Sequence, residues 1–305
     1  MIGPLPSWKN GAAKAILDFV AAVTAPGEDF VPSAERIAVF DNDGTLWCEQ
    51  PMQPQIFFAQ ARAQRLADAD PSLRERQPFK AFLEHDLPAI HALGKQGAFE
   101  FAFAVHAGVA TEDFTRIAKK WIDTATHPAT HLHYTQMVYQ PQLELLRFLR
   151  SSGFKTFIVT GGGADFVRAF APEAYGVPPE QVIGSTVRTR FENGNGRYNL
   201  TKLAELNSFN DREAKPQNIG VQIGRRPILA FGNSDGDMAM LRYTMSGPGR
   251  RMAMLLHHDD AAREVAYDRE FRLSPLTEAL DHADEYGFRV VSMKHDWEQV
   301  YASDR

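Results

Sequence analysis

Short apolar runs, each closed by Gly, Asp, Asn or Thr, recur along this chain of 305 residues. Ile37-Ala38-Val39-Phe40 leads into Asp41-Asn42-Asp43-Gly44-Thr45, and Lys155–Thr160 leads into Gly161-Gly162-Gly163. Pro227–Phe231 leads into Gly232-Asn233-Ser234-Asp235-Gly236-Asp237. A brief apolar run bounded by turn residues is the pattern of a strand buried on both faces, as in a parallel sheet. Arg251–Leu256 and Arg289–Met293 predict two further strands, and Val182–Phe191 with Arg197–Leu200 predicts a hairpin across Glu192–Gly196. Helical periodicity alternates with these runs. Ser7–Thr24 places Ile16, Leu17, Val20 and Val23 on one face, and Pro141–Arg150 places Leu145, Leu146 and Leu149 on another. Helices are also expected from the glycine run through Phe170, at 216–224 and at 237–243. The alternation predicts an α/β fold with a Rossmann-like, doubly wound parallel sheet.

Between 49 and 136 the β-branched runs vanish. Helical patterns replace them at Phe57–Arg62, Phe79–Leu87, Phe99–Val109 and Thr111–Trp121, punctuated by Pro51, Pro54, Pro71, Pro78, Pro88 and Pro128. The expected organisation is a core made of 1–48 and 137–305, with an α-helical cap domain, 49–136, inserted in it. Phe99, Phe101 and Phe103 read as the interior of that insertion.

Composition narrows the function classes. Lys and Arg number 33 against 38 Asp and Glu, a net charge of −5, and no basic block appears. That argues against a nucleic-acid partner. Cys48 is the one cysteine, so no intrachain disulfide forms; beside the Asp pair it reads as a packing residue. No uninterrupted apolar stretch is long enough for a membrane helix, and Met1–Lys9 lacks the basic and apolar regions of a leader. The chain as written is expected in the cytoplasm, or exported if a signal peptide has been removed.

The strand ends carry the candidate chemistry. Asp41 and Asp43, two residues apart, point into the crevice where open α/β sheets bind ligands. One carboxylate can attack while its neighbour moves a proton, and the pair can hold a hard cation. Thr160, Gly161 and Gly162 offer a hydroxyl and backbone N–H groups to an anion. Lys215 leads into the helix before the third run and can neutralise charge in the same crevice; Lys202 competes for that role. Asn233, Asp235 and Asp237 form an oxygen-rich set suited to Mg²⁺. Glu49 and Gln50, where the chain leaves for the insertion, are candidates for substrate contact. His127, His131 and His133 read as a loop or hinge, His257-His258-Asp259-Asp260 as a polar connection, and Arg168 as a salt-bridging surface residue.

These four motifs, in this order, resemble the haloacid dehalogenase (HAD) superfamily, in particular its phosphoserine-phosphatase-like branch with a helical cap after the first motif. The resemblance covers about 36–48 and 137–256. It implies a Mg²⁺-dependent phosphatase acting on a small phosphomonoester through an aspartyl-phosphate. In that scheme Asp41 is the nucleophile and Asp43 the acid and base. Thr160, Gly161 and Gly162 bind the phosphoryl group and Lys215 stabilises its charge. Asp41, Asp43 through its carbonyl, Asn233 and Asp237 would hold Mg²⁺. A phosphotransferase or phosphomutase of the same fold, or a weakened phosphate-ligand-binding protein, are the alternatives; a dehalogenase needs neither Asp43 nor metal. One departure stands out: the family usually has aspartate where this chain has Asn233. The amide removes a negative charge, so Asn233→Ala is expected to raise the Mg²⁺ concentration needed for activity. An unchanged Mg²⁺ dependence would move the ligand to Asp235 or Asp237.

Overall fold

The computed structural model describes residues 3–194 and 196–302. Met1 and Ile2, and Asn195 of the turn expected across 192–196, lie outside them. Seven strands form one sheet: β1 Ile37–Phe40, β2 Lys155–Gly163, β3 Val182–Gly194, β4 Arg197–Ser208, β5 Leu229–Gly232, β6 Met252–His257 and β7 Arg289–Ser292. Their order is β4-β3-β2-β1-β5-β6-β7. All neighbours are parallel except β3 and β4. The chain works outward from β1 to β4, then returns to β5 and works outward on the other side. That reversal puts the switch point, where such sheets bind ligands, between β1 and β5.

Helices cover both faces. They are α1 Asn10–Thr24, α2 Pro54–Ala69, α3 Phe79–Leu83, α4 Leu87–Ala92, α5 Gly94–Ala104, α6 Thr111–Ile122 and α7 Gln140–Ser151. After β2 come α8 Ala164–Arg168, α9 Ala171–Tyr175, α10 Ala214–Ile223, α11 Met238–Met245, α12 Glu278–Asp281 and α13 Met293–Asp296. β1 is buried on both sides: Ala38 and Phe40 pack with Ile16 and Val20 of α1 and Leu145, Leu146 and Leu149 of α7. Ile37 and Val39 pack instead with Ile219 of α10 and Met240 and Leu241 of α11. This two-sided burial is why the run reads as continuously apolar. No helix among the described residues is long and apolar enough to cross a membrane.

From α2 to α6 the chain is helical, with Ile56, Ala59, Phe82, Ile90, Phe99, Phe101 and Phe103 in a cluster of their own. Tyr267, Phe271 and Leu273, from far along the chain, complete that cluster. The helix expected over 79–87 divides in two. His85 takes a left-handed φ of 56°, and the Asp86 side chain accepts the Ala89 N–H to start α4 with Pro88 in its first turn. The glycine run extends β2 where a helix start was expected. Gly162 N–H donates to Thr160 Oγ1 at 2.9 Å and Gly163 N–H to Gln55 Oε1 at 2.7 Å, so side chains hold these amides in place of a helical turn. The hairpin is longer than expected, with β4 continuing to Ser208. Its second half carries Lys202 and lies against the segment after α5, where Gly108 N–H meets the Lys202 carbonyl.

His106 illustrates a cost of this helical packing. Its ring stacks on Phe58 at 4.5 Å, Nδ1 faces the Ala102 carbonyl at 3.0 Å, and burial depresses it to about 4. Above the unfolded pKa near 6.5 neither state binds the proton. Between that value and about 4 only the unfolded chain does, so stability falls as pH drops. His106→Phe should remove roughly 3 kcal/mol of the acid loss over that window, read as a flatter pH dependence of the urea midpoint. Parallel curves for the two proteins would contradict this.

Candidate active site

The turn after β1 is set by its own backbone and by distant partners. Asp41 N–H donates to the Phe231 carbonyl, and the Thr45 and Leu46 amides fold back on the Asn42 carbonyl. Gly44 has a φ of 76°, and a methyl carbon there would lie 2.1 Å from Asn233 Nδ2, so both conformation and space demand glycine. His258 Nε2 lies 2.7 Å from the Gly44 carbonyl. Its Nδ1 faces Glu264 at 3.2 Å, which, against burial, holds the imidazole above its usual range. The ring stacks on Tyr267 at 4.4 Å. His258, expected as a polar connection, thus props the aspartate loop from behind.

Lys215 joins the ends of β1 and β5. It sits in the first turn of α10, fully buried, with Nζ 2.6 Å from Asp41 Oδ1 and 2.5 Å from Asp237 Oδ1. Burial alone favours the neutral amine, but Asp237 and Asp41 hold it firmly protonated. Lys202 lies elsewhere: its ammonium pairs with Asp165 at 2.6 Å and covers the Phe114 ring. The Lys215 and Lys95 ammonium groups do not offset the burial of the carboxylates around them. Burial, then Asp237, push Asp41 up to about 8; burial, then Asp43, push Glu49 up to about 7. Burial also raises Asp43, whose Oδ1 accepts the Trp47 indole N–H at 2.8 Å. A buried cluster whose carboxylates are crowded and raised in this way is an environment that favours a cation.

The loop after β5 distributes its polar groups by task. Asp237 Oδ2 accepts the amides of Asn233 and Ser234 at 3.0 and 3.1 Å, so both its oxygens are engaged. Asp235 Oδ1 accepts the Thr277 and Ala279 amides at the start of α12, which ties it to structure outside the cluster. Asn233 Oδ1 accepts the Thr45 hydroxyl at 3.0 Å, and its Nδ2 donates to Glu49 Oε1 at 2.9 Å. Glu49 is fully buried; Tyr267 donates to the same oxygen and Gln53 to the other. The Gln50 carbonyl faces His127 Nε2 at 2.7 Å, which fastens the departing chain to the returning one. Cys48 is buried, which raises its thiol far from reactivity. Arg168 pairs with Asp165 at 3.2 Å. No three His, Cys, Asp or Glu side chains form a ready metal cluster among the described residues.

At the end of β2, Thr160, Gly161 and Gly162 line a close-fitting cradle. The Thr160 carbonyl accepts the Asn210 amide at 2.9 Å, and the Gly161 carbonyl accepts the Ser185 hydroxyl at 2.7 Å. A methyl carbon on Gly162 would lie 3.2 Å from Thr160 Oγ1 and 3.5 Å from Asp43 Oδ2. Asp43 and the glycine loop therefore face one another across a small gap. Sequence reasoning missed Gln55, Asn210, Tyr267 and Lys95, the last reaching this cradle from α5. None sits in a local motif; each is placed by tertiary structure alone.

A family model described as haloacid dehalogenase-like hydrolase matches residues 38–242. A conserved functionally unknown protein from Anaerococcus prevotii is 16% identical, with 94% of this chain and 92% of that chain covered and a TM-score of 0.56. A protein of unknown function from Bordetella pertussis is 18% identical, with 84% and 98% covered and a TM-score of 0.52. These two likenesses concern the fold alone. No curated protein matches the sequence. The family model spans most of the chain and contains all four motifs, and on that ground the chain belongs to the haloacid dehalogenase-like hydrolases.

Proposed function

We propose that this hydrolase is a Mg²⁺-dependent phosphatase of small phosphomonoesters, acting through an aspartyl-phosphate. The observation that supports it best is Lys215, buried 2.6 Å from Asp41 at the switch point of the sheet, with Asp43 facing the glycine loop at the end of β2. The phosphoryl group rests on Thr160, Gly161 and Gly162. An Asp41 oxygen attacks phosphorus as the bond to the ester oxygen breaks. Asp43, whose burial favours the protonated form, gives its proton to the departing alkoxide. It then takes a proton from water, whose oxygen attacks phosphorus, releasing phosphate and regenerating the Asp41 carboxylate. Lys215 screens the repulsion between the Asp41 carboxylate and the phosphate.

The donor set fits Mg²⁺. It is all oxygen, its buried carboxylates are raised by crowding that a cation would relieve, and Asn233 Oδ1 accepts a single hydrogen bond among the described residues. Asp41, the Asp43 carbonyl and Asn233 would hold the ion, with Asp237 adding charge from behind Lys215. Bound there, Mg²⁺ would polarise the phosphoryl oxygens. Glu49 serves Asn233 in this reading: its carboxylate orients the amide and restores charge that aspartate would have supplied. Residues 49–136 act as the cap, covering the cradle and excluding water during turnover.

Purified protein should hydrolyse p-nitrophenyl phosphate with Mg²⁺, stop with EDTA, and show no turnover above background as Asp41→Asn. Equal rates in wild type and Asp41→Asn would reject the nucleophile. Lys215→Met should abolish turnover and lower stability by roughly 3–5 kcal/mol, measured by urea denaturation. A change under about 1 kcal/mol, the scale of an exposed pair, would mean the lysine contributes little to the cluster.

A further inference from the structure

Lys95 carries chemistry that the reaction above does not use. It is the second residue of α5, within the proposed cap, yet its ammonium reaches the core. Nζ lies 2.9 Å from Asp211 Oδ1, on the loop leading into α10. A methyl carbon on Gly161 would lie 3.4 Å from Nζ, as would one on Gly236. The ammonium thus stands over one glycine of the cradle and one of the loop after β5. Burial opposes its charge, but Asp211 and Asp41 keep it protonated, so it acts as a cation and not as an amine nucleophile. A cavity of about 400 Å³ opens beside it, lined by Arg212, Arg272, Glu213 and Ser234 as well as the Lys95–Asp211 pair. Among the described residues neither arginine has a carboxylate within ion-pair distance. The mouth of the site is therefore cationic.

We propose that Lys95 determines specificity by pairing with an anionic group, a carboxylate or second phosphate, on the alcohol side of the ester. The proposal rests on the phosphatase reading. With phosphorus against Asp41 and the cradle, the alcohol part extends into the cavity where Lys95 stands. Asp211 holds the ammonium in place before substrate arrives, and a lysine with three N–H donors can keep that bond and make another. Arg212 and Arg272 line the way in and draw anions toward it.

Three esters of similar size test this: phosphoglycolate, ethyl phosphate and phosphoethanolamine, with anionic, neutral and cationic alcohol parts. In wild type kcat/KM should be highest for phosphoglycolate, exceeding ethyl phosphate by about tenfold to a hundredfold, and lowest for phosphoethanolamine. Lys95→Met should bring the ratios close to one, and Lys95→Arg should keep most of the preference. No charge preference in wild type, or unchanged ratios in Lys95→Met, would overturn the proposal. An equal loss on all three esters would also overturn it, by assigning Lys95 to the transferred phosphoryl group. Calorimetric binding of the same esters to Asp41→Asn, with and without Lys95→Met, reads the preference without turnover. Charge-selective binding with no hydrolysis by wild type would sink the phosphatase reading and keep this one. Hydrolysis without charge preference would do the reverse, and no binding of any ester would sink both.

Discussion

Lys215 occupies a position that no other part of the structure can relax around. Its ammonium touches Asp41, at the end of β1, and Asp237, at the start of α11, while its backbone belongs to α10. Removing one partner of a buried ion pair is far more costly than losing a surface pair, because the remaining charge has no water to fall back on. The ends of the two central strands and the helix before β5 are thereby fixed to one another. Everything else in the site is measured from that point: the Asp43 carboxylate, the cradle at the end of β2, and the Asn233 amide.

The same crowding explains why small residues and amides recur here. Gly44 lets Asn233 and Glu49 approach the aspartate loop, and a methyl carbon on Gly232 would lie 2.4 Å from Asp237 Cβ. Such close approach excludes water and intensifies each charge. Burial then raises Asp41, Asp43 and Glu49 together, a condition that favours a divalent cation and a protonated acid in one small volume. Asn233, bonded to both Thr45 and Glu49, has its orientation fixed before any ligand arrives.

Much of the fold was legible because two-sided burial leaves a plain mark. Ile37–Phe40 and Leu229–Gly232 are continuously apolar strands, and each delivers polar residues directly at its end. The choice of Lys215 over Lys202 came from the family resemblance, not from the residues around either lysine. Both are lone lysines near the same motifs, and only the placement of Asp165 and Phe114 beside Lys202 separates them. Glu49 was equally ambiguous, since Tyr267, which donates to it, lies 218 residues away. Lys95 meets Asp211 across 116 residues and leaves no trace in its own surroundings. The glycine run misled for a subtler reason. Thr160 and Gln55 side chains take its amides, so β2 continues where a helix start was expected.

Covalent attack by Asp41 is observed most directly by acid quenching during turnover followed by peptide mapping of the protein by mass spectrometry. A phosphoryl adduct on Asp41 that forms with Mg²⁺ and a phosphate ester, and is absent in Asp41→Asn, is the predicted result. Steady turnover with the adduct on another residue, or with the Asp41 peptide unmodified at every quench time, would contradict it.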